Sequence, residues 1–397
     1  MVAAPLVAAP LSPAVLRLRA QLERVWARTG RHSGAAVYDL TTRTSVLALR
    51  DGVKRPPASV EKLYTSVALL RRLGPNARLR TTVLGAGHLG PGGVWHGDLY
   101  LRGGGDPTFG DTGFNRVYEL GYGPTQAQLT QQLAGDGIRR VSGAVIGDES
   151  LFDARRGGPA SGYAPDIPDF GGELSALSSD HGASGRLTPP AFAADHLALT
   201  MRKAGIRAVA SAQSGTAPTG ARRLAIVSSP PLSMLLKLMN VPSDDLFAEL
   251  LTKQLGARFA GAGSTAAGAG VITDEIHGYN LYPTIRDGSG LSRTDRSSPL
   301  EVLDLLRAVW HTPVGRVLSA SLPIVGLTGT VRRIALATPA VGRCSAKTGT
   351  LNRVTNLAGY CTNRRHHTLA FALLDAGLTE QRALVLEGKM LAAIAGS

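Results

Sequence analysis

The sequence predicts an α+β protein: a five-stranded antiparallel sheet flanked by helices, with a β-rich domain inserted into it. Three observations lead there. Strand-like segments gather at both ends of the 397-residue chain instead of alternating with helices along it. An amphipathic segment stands beside them at each end. The stretch between, from about Gly85 to Pro230, has a different texture, rich in Gly and Pro. The expected boundaries are 1–84 with 231–397 for a discontinuous main domain and 85–230 for the insertion, with either a small nested subdomain or an irregular excursion near 155–190.

The elements follow in order. Leu16, Leu18, Leu22, Val25 and Trp26 give an amphipathic helix over Leu16–Ala27, stopped before Gly30. Gly34–Leu40 and Thr44–Leu49 read as a hairpin around Thr41-Thr42-Arg43. Val60, Leu63, Tyr64, Val67 and Leu70 fall at helical spacing between Pro56-Pro57 and Gly74-Pro75. Inside the insertion, Val94–Leu101 and Val141–Ile146 are strand-like. Gly103-Gly104-Gly105-Asp106-Pro107 reads as a tight turn, because no Lys-Ser/Thr follows it and no G-x-G-x-x-G opens a helix. Residues 155–190 have little periodicity and are too long for an ordinary connection. A helix is expected over Asp244–Leu255, capped by Ser243 and ended by Gly256. Arg343–Thr350, Val354–Tyr360 and His367–Leu374 complete the sheet, His366-His367 marks a turn, and Glu380–Ile394 is the final helix.

Composition narrows the function classes. Apolar residues at 44% and charged residues at 18% suit a folded chain and not a disordered one. The apolar opening Val2–Leu16 is short, broken by Pro5, Pro10 and Pro13, and lacks a basic leader, so neither a membrane span nor a signal peptide is expected there. A net charge of +14 should draw the protein to anionic surfaces, whether nucleic acid, anionic lipid or an anionic cell envelope, with a diffuse solvated basic face as the plainer reading. The basic residues are scattered in ones and twos without an interleaved aromatic platform, which argues against a nucleic-acid partner. The nine histidines show no metal-ligand spacing, and neither a metal nor another cofactor is expected. Cys344 and Cys361 lie equally far from a turn near Asn352-Arg353, so they are either a cross-strand disulfide of an oxidising compartment or two buried thiols.

Three strings carry chemistry. In Ser59-Val60-Glu61-Lys62 the serine stands at a helix start and the lysine one turn later on the same face. A serine hydroxyl is a weak nucleophile without an adjacent base, and a lysine serves as that base only where desolvation and neighbouring charge favour its neutral form. A capping Ser followed by a first-turn Lys is also ordinary helix chemistry. Ser243-Asp244-Asp245 offers a second serine, and two acids suited to the positive end of a helix. Lys347-Thr348-Gly349-Thr350, on a predicted strand, offers a cation and two hydroxyls to a substrate carboxylate.

The order S-x-x-K, S-x-N, K-T-G resembles that of the serine β-lactamases and penicillin-binding proteins. Flanking segments resemble more narrowly the D-alanyl-D-alanine carboxypeptidase/endopeptidases, low-molecular-mass class C penicillin-binding proteins. These are P-A-S-V-E-K-L-Y-T-S at 57–66, L-Y-L-R-G-G-G-D-P-T at 99–108, P-S-D-D-L-F-A-E-L-L at 242–251, R-D-G-S-G-L-S-R at 286–293 and S-A-K-T-G-T-L at 345–351. The likeness runs from about Gly34 to Ile394, and the long stretch between Ser59 and Ser243 leaves room for the domain such proteins insert there. The resemblance implies the β-lactamase/DD-peptidase fold and an extracytoplasmic place in the periplasm or cell wall. It implies peptidoglycan stem peptides as substrate and β-lactam antibiotics as acylating agents. By the same resemblance Ser59 is the nucleophile, Lys62 its base and Ser243 a proton relay. The N–H groups of Ser59 and Thr350 form the oxyanion hole, and Asp245, Lys347, Thr348, Gly349 and Thr350 line the substrate. Asp287–Ser292 is expected to shape the domain edge, without a chemical role.

One position departs from the pattern. Where the family has Asn, this chain has Asp245, whose carboxylate accepts hydrogen bonds but cannot donate one to a substrate carbonyl. Pairing with Lys62 or Lys347 would neutralise it, and pairing with Lys62 would make that lysine a poorer base. Two readings therefore stand: an active DD-peptidase, or a weakly active or non-catalytic wall-binding protein on the same scaffold. A β-lactamase or esterase suits the inserted region less well.

Overall fold

The computed structural model describes residues 11–182 and 186–397; the part of the apolar opening up to Pro10 lies outside them. The strands, in chain order, are β1 Gly34–Asp39, β2 Thr44–Leu49, β3 Arg80–Leu89, β4 Val94–Arg102, β5 Arg140–Asp148, β6 Arg207–Ser214, β7 Arg222–Ser228, β8 Cys344–Leu351, β9 Val354–Thr362 and β10 Thr368–Ala376. Contacts divide the chain into two compact units. One comprises Met1–Val60, Ser297–Trp310 and Leu322–Ser397; the other comprises Glu61–Arg296 and His311–Ser321.

The first unit holds the predicted sheet, in the order β2-β1-β10-β9-β8 with every pair antiparallel. Its core joins Leu18, Leu22 and Trp26 of helix Pro13–Trp26 to Val37, Leu357, Phe371 and Leu373 of the sheet and to Met390, Leu391 and Ile394 of helix Glu380–Gly396. Strand alternation points these residues at one face, and burying each large apolar side chain stabilises by roughly 1.5–3 kcal/mol. Helix Pro299–Val309, opened by a Ser298/Glu301 capping box, packs on β1 and β10. Cys344 faces Cys361 across β8 and β9, and the two are joined in a disulfide.

The second unit contains a mixed sheet, β6-β5-β4-β3-β7, in which β4, β5 and β6 run parallel while β3 is antiparallel to both β4 and β7. Helix Pro189–Lys203 packs on β5 and β6, burying Leu197 and Met201 with Trp95, Leu99 and Val145. Before helix Pro189–Lys203 begins, the described residues of the segment 155–190 form short helical turns at Pro159–Ser161, Ile167–Phe170 and Ser179–Gly182. The unit also contains helices Lys62–Leu73, Leu232–Asn240, Asp245–Phe259, Thr265–His277 and Pro313–Ser321, which pack on one another.

Two expectations are corrected here. The helix expected to stop at Gly256 continues to Phe259, because that glycine serves close packing. A Cβ on it would lie 2.5 Å from the Ala262 carbonyl oxygen and 2.8 Å from the Gly268 nitrogen, so the missing side chain lets helix Thr265–His277 approach. Nor is Ser243 the cap: Asp244 accepts the Phe247 N–H at 2.8 Å, and Ser243 takes a left-handed φ of 68°.

Candidate active site

The predicted site residues fall into two groups, one in each unit. The first group contains Ser59, Lys347, Thr348, Gly349 and Thr350. Ser59 lies in the single 3-10 turn Ala58–Glu61, not in the first turn of an α-helix, which begins only at Lys62. Pro56-Pro57 lead into it. The Pro56 and Pro57 carbonyls accept the two N–H bonds of the Asn356 side chain on β9, at 3.0 and 2.8 Å. Asn356 is buried and thus fastens the turn to the sheet.

Strand β8 is the edge of that sheet and runs against the same turn. A Cβ added to Gly349 would lie 2.7 Å from the Pro57 oxygen, 2.9 Å from the Val60 nitrogen and 3.1 Å from the Ser59 nitrogen. Only glycine permits this approach, which brings the Ser59 backbone beside the Lys-Thr-Gly strand. Lys347 is fully buried and donates to the Thr348 carbonyl at 2.8 Å; the Thr348 hydroxyl donates to the Thr330 hydroxyl at 2.8 Å. Thr350 is exposed and Ser59 half-buried, so both are open to solvent.

The second group contains Lys62, Ser243 and Asp245. Lys62 is fully buried, and its ammonium donates to Asp245 Oδ1 at 2.5 Å and to the Ser289 carbonyl at 2.7 Å. Asp245 therefore pairs with Lys62, one of the two partners left open by the sequence. Ser243 precedes Asp245 in its left-handed turn, a conformation that costs a non-glycine residue free energy and is concentrated at functional sites.

Several participants escape sequence reasoning. The Asp287–Ser292 loop, expected to have no chemical role, supplies the carbonyl that holds Lys62. Asp287 accepts the Gly290 and Ser292 N–H groups at 2.7 and 2.8 Å. Glu249, fully buried, accepts both the Gly288 and Ser289 N–H groups on Oε1 at 2.9 Å, and the Thr265 hydroxyl on Oε2 at 3.1 Å. Burial, and then the Asp287 charge, push Glu249 up to about 7. Asp287 is also raised, chiefly by burial, and neighbouring Asp295 is raised by burial and then by the Asp287 charge. The repeated Gly and Ser of this loop were visible in sequence, but nothing there announced a lysine partner.

Among the described residues one group could hold a metal: Asp111, Asp180 and His196 offer donors within 4.8 Å of one another. Asp111 accepts the Phe114 N–H, and Asp180 accepts the Asp111 N–H and lies 3.3 Å from His196 Nδ1.

An antiparallel sheet whose Lys-Thr-Gly edge lies against the Ser59 turn, and a second unit carrying a buried lysine, accord with the class of penicillin-binding serine DD-peptidases. Penicillin-binding protein 4 of Haemophilus influenzae has the same fold. It superposes with a TM-score of 0.77 at 21% identity over 93% of this chain and 97% of its own. A second structure of that protein, complexed with a β-lactam, superposes at 0.73 with 19% identity over 95% and 99%. Residues 18–182 and 170–393 match the D-Ala-D-Ala carboxypeptidase 3 (S13) family. The carboxypeptidase DacB of Mycolicibacterium smegmatis is 31% identical over 84% of this chain and 74% of its own. The D-alanyl-D-alanine carboxypeptidase of Actinomadura is 26% identical over 88% and 78%. The chain belongs to the S13 family of serine D-Ala-D-Ala carboxypeptidases.

Proposed function

We propose that the protein cleaves the terminal D-Ala–D-Ala bond of peptidoglycan stem peptides through an acyl-enzyme on Ser59, and that β-lactams acylate the same hydroxyl. Ser59 Oγ bonds to the carbonyl carbon of the penultimate D-Ala while its proton passes to Lys62. Collapse of the tetrahedral adduct breaks the C–N bond, and Ser243 relays a proton to the departing amine. Water then cleaves the ester and restores the Ser59 hydroxyl. The N–H groups of Ser59 and Thr350 stabilise the oxyanion, while Lys347, Thr348 and Thr350 receive the terminal carboxylate.

The observation that carries this reading is the approach of Gly349 to the Ser59 turn, which lays a carboxylate-binding strand edge beside the nucleophile. The family membership and the β-lactam complex of the H. influenzae protein agree with it. Fluorescent penicillin should label the wild type and leave Ser59→Ala unlabelled; an unlabelled wild type would remove the catalytic reading. A second reading, a weakly active or non-catalytic wall-binding protein, is favoured by the 2.5 Å ion pair that engages Lys62 with Asp245. The disulfide supports an oxidising compartment outside the cytoplasm, where the positive charge would favour anionic envelope polymers. Among the described residues no helix is long and apolar enough to cross a membrane.

A further inference from the structure

We propose that Glu249 is a positioning residue for Lys62, acting through the backbone of the Asp287–Gly290 loop. This rests on the reading of Lys62 as the base for Ser59. Two of the acceptors around the Lys62 amine are Asp245 Oδ1 and the Ser289 carbonyl, at 2.5 and 2.7 Å. The direction of that carbonyl is set by the peptide groups next to it. Glu249 Oε1 takes the N–H groups of Gly288 and Ser289 together, each at 2.9 Å. The Thr65 hydroxyl, on the same helix as Lys62, donates to the Gly288 carbonyl at 2.8 Å. The Asp287 carboxylate closes the loop from the other side through Gly290 and Ser292.

Glu249 lies four residues after Asp245 on helix Asp245–Phe259, one turn along the same face. One helix therefore locates the lysine amine at two points: directly through the Asp245 carboxylate, and indirectly through the carbonyl that Glu249 aims. The two contacts differ in kind: both accept from the amine, but the carboxylate adds a full charge beside it and the Ser289 carbonyl does not. Shortening Glu249 would leave two buried peptide N–H groups without an acceptor and let the loop turn, so that Lys62 would be directed chiefly by its ion pair. The loop lies too deep for solvent to substitute: Glu249, Asp287 and Ser289 are all buried.

The test is the acylation kinetics of penicillin on the full chain, with the maximal acylation rate constant separated from the half-saturating concentration and corrected for the folded fraction. Glu249→Ala should lower the rate constant by about tenfold or more, the scale of a displaced general base, and leave half-saturation close to wild type. Glu249→Gln keeps an amide oxygen for both N–H groups and should restore most of the rate. Thr65→Val, which removes the opposite restraint on Gly288 at nearly constant volume, should slow acylation in the same parameter and serves where Glu249→Ala does not fold. A wild type that is never acylated overturns both the base assignment and this inference. An acylated wild type with unslowed Glu249→Ala or Thr65→Val overturns the inference alone.

Discussion

At position 245 a carboxylate stands in place of an amide and holds the Lys62 ammonium at 2.5 Å, with the lysine fully buried and the aspartate side chain 16% exposed. Removing one partner of a buried pair leaves the other uncompensated, which is costly even where the pair itself contributes little net stability. Asp245→Asn should therefore lower thermal stability, by on the order of 2 kcal/mol, and raise the rate of penicillin acylation by freeing the base. Paired melting curves and acylation rates check both; equal or slower acylation would mean that the carboxylate does not restrain the site. The departure at 245 was legible in the sequence, but not which lysine answers it. Lys62 and Lys347 were equal candidates on paper, and the choice depends on the turn at Ser243 and on where helix Asp245–Phe259 begins. Glu249 and Asn356 were invisible as site residues because each acts on distant backbone, through contacts that no local spacing encodes.

Among the elements, the register of the β8–β9 hairpin was readable although its strand ends were not: the expected Arg343–Thr350 and Val354–Tyr360 are Cys344–Leu351 and Val354–Thr362. Symmetry about a turn near Asn352-Arg353 puts Cys344 opposite Cys361. The disulfide closes a loop with a sequence separation of 17, a size for which the loss of unfolded-chain entropy stabilises by about 3 kcal/mol. Replacing both cysteines by serine should lower the melting temperature by several degrees, and reductant should do the same to the wild type but not to the double variant. Helix ends were less legible. Gly256 looks like a stop in one dimension and proves to be a packing surface in three, since what it faces is a helix that comes later in the chain. Asp244 displaces Ser243 as cap because both residues are competent and only the backbone torsion decides between them.

For the molecule as a whole, the terminal sheet was legible because its strands are apolar and sequentially grouped, whereas the mixed sheet was only partly so. β4 and β5 showed alternation; β3, with its Thr and Gly, and β6, with its small and polar residues, did not. The parallel order β4-β5-β6 depends on crossovers that periodicity cannot reveal. Global stability carries a pH signature from one buried acid. Glu387 is fully buried in the first unit, and no hydrogen-bond partner for either carboxylate oxygen occurs among the described residues. Burial, and then Asp375 and Glu380, push it up to about 8. An acid raised in the folded state favours the protonated fold. That stability is complete below its ordinary value of 4.5 and is lost as pH rises through about 8. Glu387→Gln, which cannot ionise, should be more stable than wild type at pH 8.5 by at least about 1 kcal/mol and closely similar to it at pH 4.5, as read from denaturant melts at the two values.

The empty space at Gly349 also limits how this protein can change under selection. A position with no side chain has nothing to trim, and any addition would drive a Cβ into the backbone of the turn that carries Ser59. A substitution here that weakened an inhibitor acting at Ser59 should disturb the turn carrying Ser59 at the same time, so resistance is expected to arise at other positions.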